Sequence, residues 1–340
     1  MGVLSKGRVQ LTPVRFKSSH SLDAIADAAA AASYPEPAEA GGKGWGSTRD
    51  EADYVGNQVP ARLKVAHPSV LEPTNYLPRR LRLRYYWHTL EPKALRFESG
   101  RDDWRVSHTL SAADVILFEA EEGESSATGL ISIRDTKILK SHVFGPLADL
   151  IRNSSGIGSI ETDSLPEALN PDFFKWLLHR TQATPDLGGG LGVSSMTSLD
   201  TSGDSGGTKF TEETALERIE LAAAVAIGRR EFGPAKVAVS QTGIGNYLLL
   251  DLFRDGGFAI KKDSMYDSPP DLPDEDAGFW LAEHIWSVVL PALRAAYASD
   301  TKWAADGAKN FESQAIDIIC QILIKLGRTT LMAPQAPSKS

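Results

Sequence analysis

DVILFEAEEGESSATGLISIRDTKILKSHVFGPLADLI, residues Asp114–Ile151, is the stretch whose reading decides the fold. It reads as a strand, a polar loop, a second strand and a helix. A loop centred between Glu124 and Ser125 sets Ile116 against Ile133 and Phe118 against Ile131. The apolar pairs then share one face of the hairpin, which is what fixes a register. The same register sets Asp114 against Asp135 on that face, with Lys137 two residues further on.

Working outward, the run RRLRLRYYWHTL precedes the hairpin. Leu81, Leu83, Tyr85 and Trp87 alternate with Arg80, Arg82, Arg84, Tyr86 and His88. Period two over this length predicts a strand with one apolar face and one basic-aromatic face. A further strand is expected at Trp104–Thr109. Nearer the N-terminus, residues 8–16 predict a short edge strand, because Pro13 has no N–H for a sheet centre. Ser21 is a good N-cap for the helix LDAIADAAAAA. Residues 33–75 are rich in Pro, Gly and charge. Residues 1–75 are therefore expected to be a flexible arm, with Trp45 docking on the body or on a partner.

Beyond the hairpin, Asn170 and Pro171 open a helix, PDFFKWLLHR. Gly and Ser dominate residues 186–209, which are expected to be a flexible loop interrupted by a short strand at Val193–Leu199. Thr211 opens a longer helix that stops at Gly233-Pro234. A meander follows at Ala235–Ser240, Asn246–Phe253 and Gly257–Lys262. Two long helices close the chain. The second aligns Phe311, Ala315, Ile318, Ile319, Ile322 and Leu326 on one stripe. Residues 328–340 are expected to be disordered. The fold class is α+β: a mainly antiparallel sheet with a helix-rich C-terminal half and a flexible N-terminal arm. Residues 76–185 form the sheet-containing half and 210–327 the helix, meander and C-terminal helices. One domain or two halves divided near 185–209 both fit.

With 340 residues, the chain can bury a large core. The net charge of −8 argues against wholesale nucleic-acid binding. That charge is uneven, because residues 1–110 hold 16 Lys and Arg against 12 Asp and Glu. The asymmetry permits a basic face on the N-terminal half. A single cysteine, Cys320, excludes an internal disulfide and a Cys-based zinc site, and its apolar helical context predicts a buried thiol. No apolar run reaches membrane-span length, and the N-terminus has no signal-peptide core. A soluble protein of the reducing cytoplasm is expected, with no membrane.

Two constellations carry chemistry. Arg80, Arg82 and Arg84 on one strand face, followed by Tyr86 and His88, suit a phosphate backbone and a stacked base. Arg62, Lys64 and Arg79 add local positive charge. The alternative is that neighbouring carboxylates pair these arginines. In the hairpin, two facing carboxylates beside a lysine suit a divalent cation. That layout resembles the PD-(D/E)xK nuclease core, with an acid on one strand and (D/E)xK on the next: Asp114, then Asp135-Thr136-Lys137. The resemblance implies Mg²⁺-dependent cleavage, with Asp114 and Asp135 holding the metal and Lys137 assisting. The alternative is solvated strand ends, with Lys137 pairing Asp135. GDSGG at Gly203–Gly207 matches the serine-protease nucleophile motif without the histidine context or all-β chain that such enzymes need. The seven histidines show no i,i+4 pairing, so a His-based metal site is unsupported.

The leading expectation is a non-enzymatic binding component of an intracellular complex. It needs no cofactor and contacts nucleic acid or an acidic protein partner through Arg80, Arg82, Arg84, Tyr86 and His88. The alternative is a Mg²⁺-dependent nuclease using Asp114, Asp135 and Lys137.

Overall fold

Strands His108–Phe118 and Ala127–Ile131 form the expected hairpin in a register that differs from the expected one. Val115 faces Ile131, Ile116 faces Leu130 and Leu117 faces Gly129. Both strands are apolar at consecutive positions, so several registers match apolar pairs equally well. Packing decides among them. Val115, Leu117 and Ile131 join one core cluster, while Ile116 and Leu130 are buried on the opposite face. Gly129 fits against its neighbours, since an added Cβ there would lie 3.0 Å from the Ile116 carbonyl oxygen.

The computed structural model describes residues 2–3, 9–18, 20–35, 42–46, 68–90, 108–120, 126–152, 158–162, 165–202, 208–211, 219–227, 231–267, 269, 272 and 276–327. The fold is α+β, with mainly antiparallel strand pairing and most helix in the C-terminal part. Two compact units are present. No helix among the described residues is long and apolar enough to cross a membrane.

The first unit comprises residues 1–168, 243–249 and 255–291. Its sheet runs in the order Gly245–Leu252 (through residue 249), Phe258–Ile260, Val9–Ser18, Ala127–Ile131, His108–Phe118, Arg80–Leu90 and Lys43–Trp45. Val9–Ser18 is interior, not the edge strand that Pro13 predicts. One side pairs with Ala127–Ile131. On the other, Val9–Leu11 pairs with Phe258–Ile260 and Arg15–Ser18 with Gly158–Glu161. Pro13 falls in the gap between those two partners, where no neighbour needs its missing N–H. Leu81, Leu83, Tyr85 and Trp87 turn to one face of the sheet, against the helices Leu22–Ala31 and Phe144–Ile151. The first of these helices is capped as expected, with the Ser21 hydroxyl accepting from the Ala24 N–H.

Part of the expected arm belongs to the body. Trp45 is 2% exposed, and its ring centroid lies 4.9 Å from that of Tyr85. Backbone hydrogen bonds join Trp45 to Ala32 and Tyr34, and a Cβ on Gly44 would lie 2.5 Å from the Tyr34 nitrogen. The rest of the expected linker at 36–41 and 47–67 lies outside the described residues. So do Arg62 and Lys64, residues 328–340, most of Trp104–Thr109, and the GDSGG segment at 203–207.

The second unit comprises residues 169–242, 250–254 and 292–340. Asn170 caps the helix Pro171–Ala183, accepting from the Phe173 N–H at 2.7 Å. The described residues 186–202 and 208–209 are mostly strand where their composition predicts a flexible loop. They hold a twelve-residue strand, Leu191–Ser202, that pairs with Glu231–Gln241 and Thr208–Thr211. Register shifts fall at Val193/Ser195, Met196/Ser198 and Leu199/Thr201. Each bulge inserts a residue and resets the alternation. The buried positions Leu191, Val193, Met196 and Leu199 therefore show no steady period two. The helix expected from Thr211 is described at Ile219–Ile227.

Candidate functional site

The even-numbered face of Arg80–Leu90 is covered by other parts of the first unit. Arg80 donates from Nε to Glu283 Oε2 at 2.7 Å. Arg82 donates from Nε to Glu283 Oε1 at 2.6 Å and from Nη2 to Oε2 at 3.0 Å. Glu283 lies on the helix Ala277–His284 and is 0% exposed. Arg82 also reaches Asp276 at 3.5 Å and stacks over Phe279 at 4.8 Å. Arg84 is 1% exposed and pairs with Asp114 at 3.2 Å. Its guanidinium lies 5.3 Å from the Tyr86 ring centre, and Tyr86 is buried. His88 Nε2 lies 3.0 Å from the Tyr34 hydroxyl. Arg79 pairs with Asp23, Glu72 and Glu119, and its hydrogen bond holds the Asp23 carboxyl below the usual range.

The arginine row is thus paired within the protein, the arrangement in which neighbouring carboxylates hold its charges. Arg79, Arg80, Arg82 and Arg84 each have a carboxylate partner, and the last three are removed from bulk solvent. A buried carboxylate is costly unless its charge is compensated and its lone pairs are bonded. Glu283 meets both conditions through two guanidinium groups. Its place 203 and 201 positions from Arg80 and Arg82 gave no local sign of this role. Beside it, burial pushes the His284 imidazole below the usual histidine range, and His284 Nδ1 lies 2.8 Å from the Trp280 carbonyl.

The hairpin acids are held apart by function. Ser132, not Asp135, lies beside Asp114: the Ser132 N–H donates to the Asp114 carbonyl at 2.9 Å, and the Asp114 N–H donates to the Ser132 hydroxyl at 2.8 Å. The Asp114 side chain is buried against Arg84. Asp135 falls past the strand end, where Oδ1 caps the turn Thr136–Ile138, accepting from Lys137 N at 2.8 Å and Ile138 N at 3.3 Å. Lys137 is exposed. Two carboxylates with separate tasks do not fit a shared Mg²⁺. Among the described residues no group of three or more His, Cys, Asp or Glu could hold a metal ion.

In the second unit, the helix Ala308–Lys325 presents the opposite situation. Its first turns are anchored. Glu312 accepts from Lys175 Nζ at 2.8 Å, and Phe311 packs edge-on against His179 at 5.1 Å. Asp172 accepts from the Tyr297 hydroxyl and Trp303 Nε1, both at 2.8 Å. Asp300 accepts from Trp176 Nε1 at 2.8 Å and from Arg180. Burial and then the Asp172 bond push the Tyr297 hydroxyl up to about 12. Burial, then the Arg180 charge, holds His179 below its ordinary value. Burial would raise the Asp300 carboxyl, but bonds from Trp303, Trp176 and Arg180 outweigh it and hold the group low.

Past Ala315 the helix emerges. Phe311 and Ala315 are buried, as the expected stripe requires. Ile318, Ile319 and Ile322 are only half-buried, and Leu326 is 64% exposed. Ile316 and Ile324 are 49% and 54% exposed. The adjoining helix Ile219–Ile227 ends in Ile227 at 55%. Cys320 is a half-buried free thiol, not a core residue. The signal was present in the sequence. IDIICQILIKL, residues 316–326, is apolar on nearly every side, a pattern that asks for more cover than one face supplies.

No protein-family model matches the chain, and no curated protein matches it. Among solved structures, the di-domain ARO/CYC StfQ from the steffimycin biosynthetic pathway is 8% identical to it. That comparison covers 86% of this chain and 99% of that one with a TM-score of 0.17, a value that supports no argument about fold or chemistry.

Proposed function

We propose that this protein is a non-enzymatic binding component of a larger cytoplasmic assembly, joined through the end of its final helix. The observation that supports this reading is the exposure of Ile316, Ile324 and Leu326 at the end of the final helix, and of Ile227 at the end of the helix that packs on it. Covering apolar surface contributes roughly 25 cal/mol per Å², and clustered exposed aliphatic side chains mark interaction surfaces. The partner is a protein with an apolar face. Nucleic acid is the weaker choice, because the arginine row that would track a phosphate backbone already has carboxylate partners. A reducing compartment suits a half-buried free thiol on this surface.

The test is native-size analysis of the full chain in cell extract. The parent should migrate above its single-chain mass of 36.7 kDa. An Ile316→Glu/Ile324→Glu variant should migrate as a single chain while keeping the parent's thermal unfolding. A parent that migrates as a single chain in extract and is also monomeric when purified at about 100 µM overturns the reading.

A further inference from the structure

We propose that the occupant of this face is a second copy of the chain, its final helix antiparallel to the first about Gln321. This rests on the binding reading above and names its partner. The stretch 316–326 has the same character read from either end. Ile316 mirrors Leu326, Ile318 mirrors Ile324, Ile319 mirrors Leu323 and Cys320 mirrors Ile322. One mirrored pair is charged, and its signs are opposite: Asp317 and Lys325.

Two antiparallel helices related by a two-fold axis at residue 321 bring each residue level with its mirror position on the other copy. Asp317 then lies level with Lys325 of the partner subunit, and the symmetry makes the contact twice. A parallel pair would instead set Asp317 against its own copy and Lys325 against its own, which is repulsive. Both side chains are exposed, and among the described residues neither takes part in an ion pair. On their own helix they are eight residues apart, about 12 Å along the axis, too far to pair with each other. The two charges are therefore available to a second helix.

A standard stable interface buries about 1,600 Å² in total. One helix end offers less, so the dimer is expected to dissociate at concentrations on the order of micromolar.

Sedimentation of the purified full chain over a range of about 1–100 µM tests the proposal. The parent should show a reversible monomer–dimer equilibrium. Asp317→Lys and Lys325→Asp should each weaken it about tenfold, since each creates two like-charge contacts. The double variant D317K/K325D restores opposite signs and should recover most of the affinity, with circular dichroism confirming helix content throughout. A monomer at every concentration overturns the proposal. So does a dimer indifferent to single reversal, or one that the double variant does not restore. A purified monomer that still migrates in a large assembly in extract removes the self-pairing and leaves the binding reading in place. A single chain in both settings removes both.

Discussion

Arg84, on the strand Arg80–Leu90, is 1% exposed, while Ile324, on the helix Ala308–Lys325, is 54% exposed. A guanidinium is among the groups most costly to bury, and an isoleucine among the easiest. Their positions follow from what surrounds them. The strand belongs to a sheet covered on both faces, and its arginines sit where Glu283 and Asp114 supply charge and hydrogen bonds. The helix is tied at its first turns by Glu312 and Phe311, and its last turns are half-buried or exposed. Partner supply, more than hydropathy, decides which residues this fold encloses.

The largest way to break that contrast is Glu283→Ala. It strands two buried or half-buried guanidinium groups, and the loss should reach about 3–5 kcal/mol in urea unfolding. Replacing Arg80, Arg82 and Glu283 together with Met should return most of that loss. A cost near zero for Glu283→Ala alone would mean that the arginine row is not held internally and is open to a ligand.

The next effect is of pH, and it touches both regions. His284 and His179 are kept neutral by burial, while the unfolded chain takes up protons near 6.5. Stability should therefore fall as pH drops below about 6.5 and level off once the folded-state values are passed. His179→Gln and His284→Gln should flatten that slope. Asp300, held below its ordinary 3.8, adds a second loss in stronger acid as its carboxylate is protonated. A profile flat between pH 7 and pH 5 would contradict the burial argument.

A smaller change tests the hairpin. Asp135→Ala removes a helix cap and should cost about 1 kcal/mol. DNA or RNA incubated with the parent protein and Mg²⁺ should remain intact. Metal-dependent cleavage that disappears in Asp135→Ala would restore the nuclease reading. The smallest effect belongs to the helix end. Ile324→Glu, at a half-exposed site, should change unfolding stability by no more than about 0.5 kcal/mol. A loss several times larger would show that the helix end is needed within the folded chain itself.

Local pattern revealed much of the architecture. Alternation at 80–88 gave the strand, Ser21 and Asn170 gave two helix starts, and the hairpin appeared where apolar runs flank a polar loop. Pairing and cover were less accessible. The hairpin register stayed ambiguous because Val115–Phe118 and Gly129–Ile133 offer apolar residues to either face. The strand Leu191–Ser202 was hidden by three bulges that break its period. Of the candidate site, the residue types of the arginine row were visible, but its engagement was not, because Glu283 is distant in sequence.

What the sequence alone determined is the local chemistry: which segments alternate, where helices begin, and that an apolar stripe runs from Phe311 to Leu326 along the last helix. Those properties depend on neighbours within a few positions. Tertiary structure decided which charges find partners, which side of each strand is covered, and where an apolar helix runs out of core. Each of these depends on the pairing of residues far apart in the chain, and no local pattern encodes that pairing.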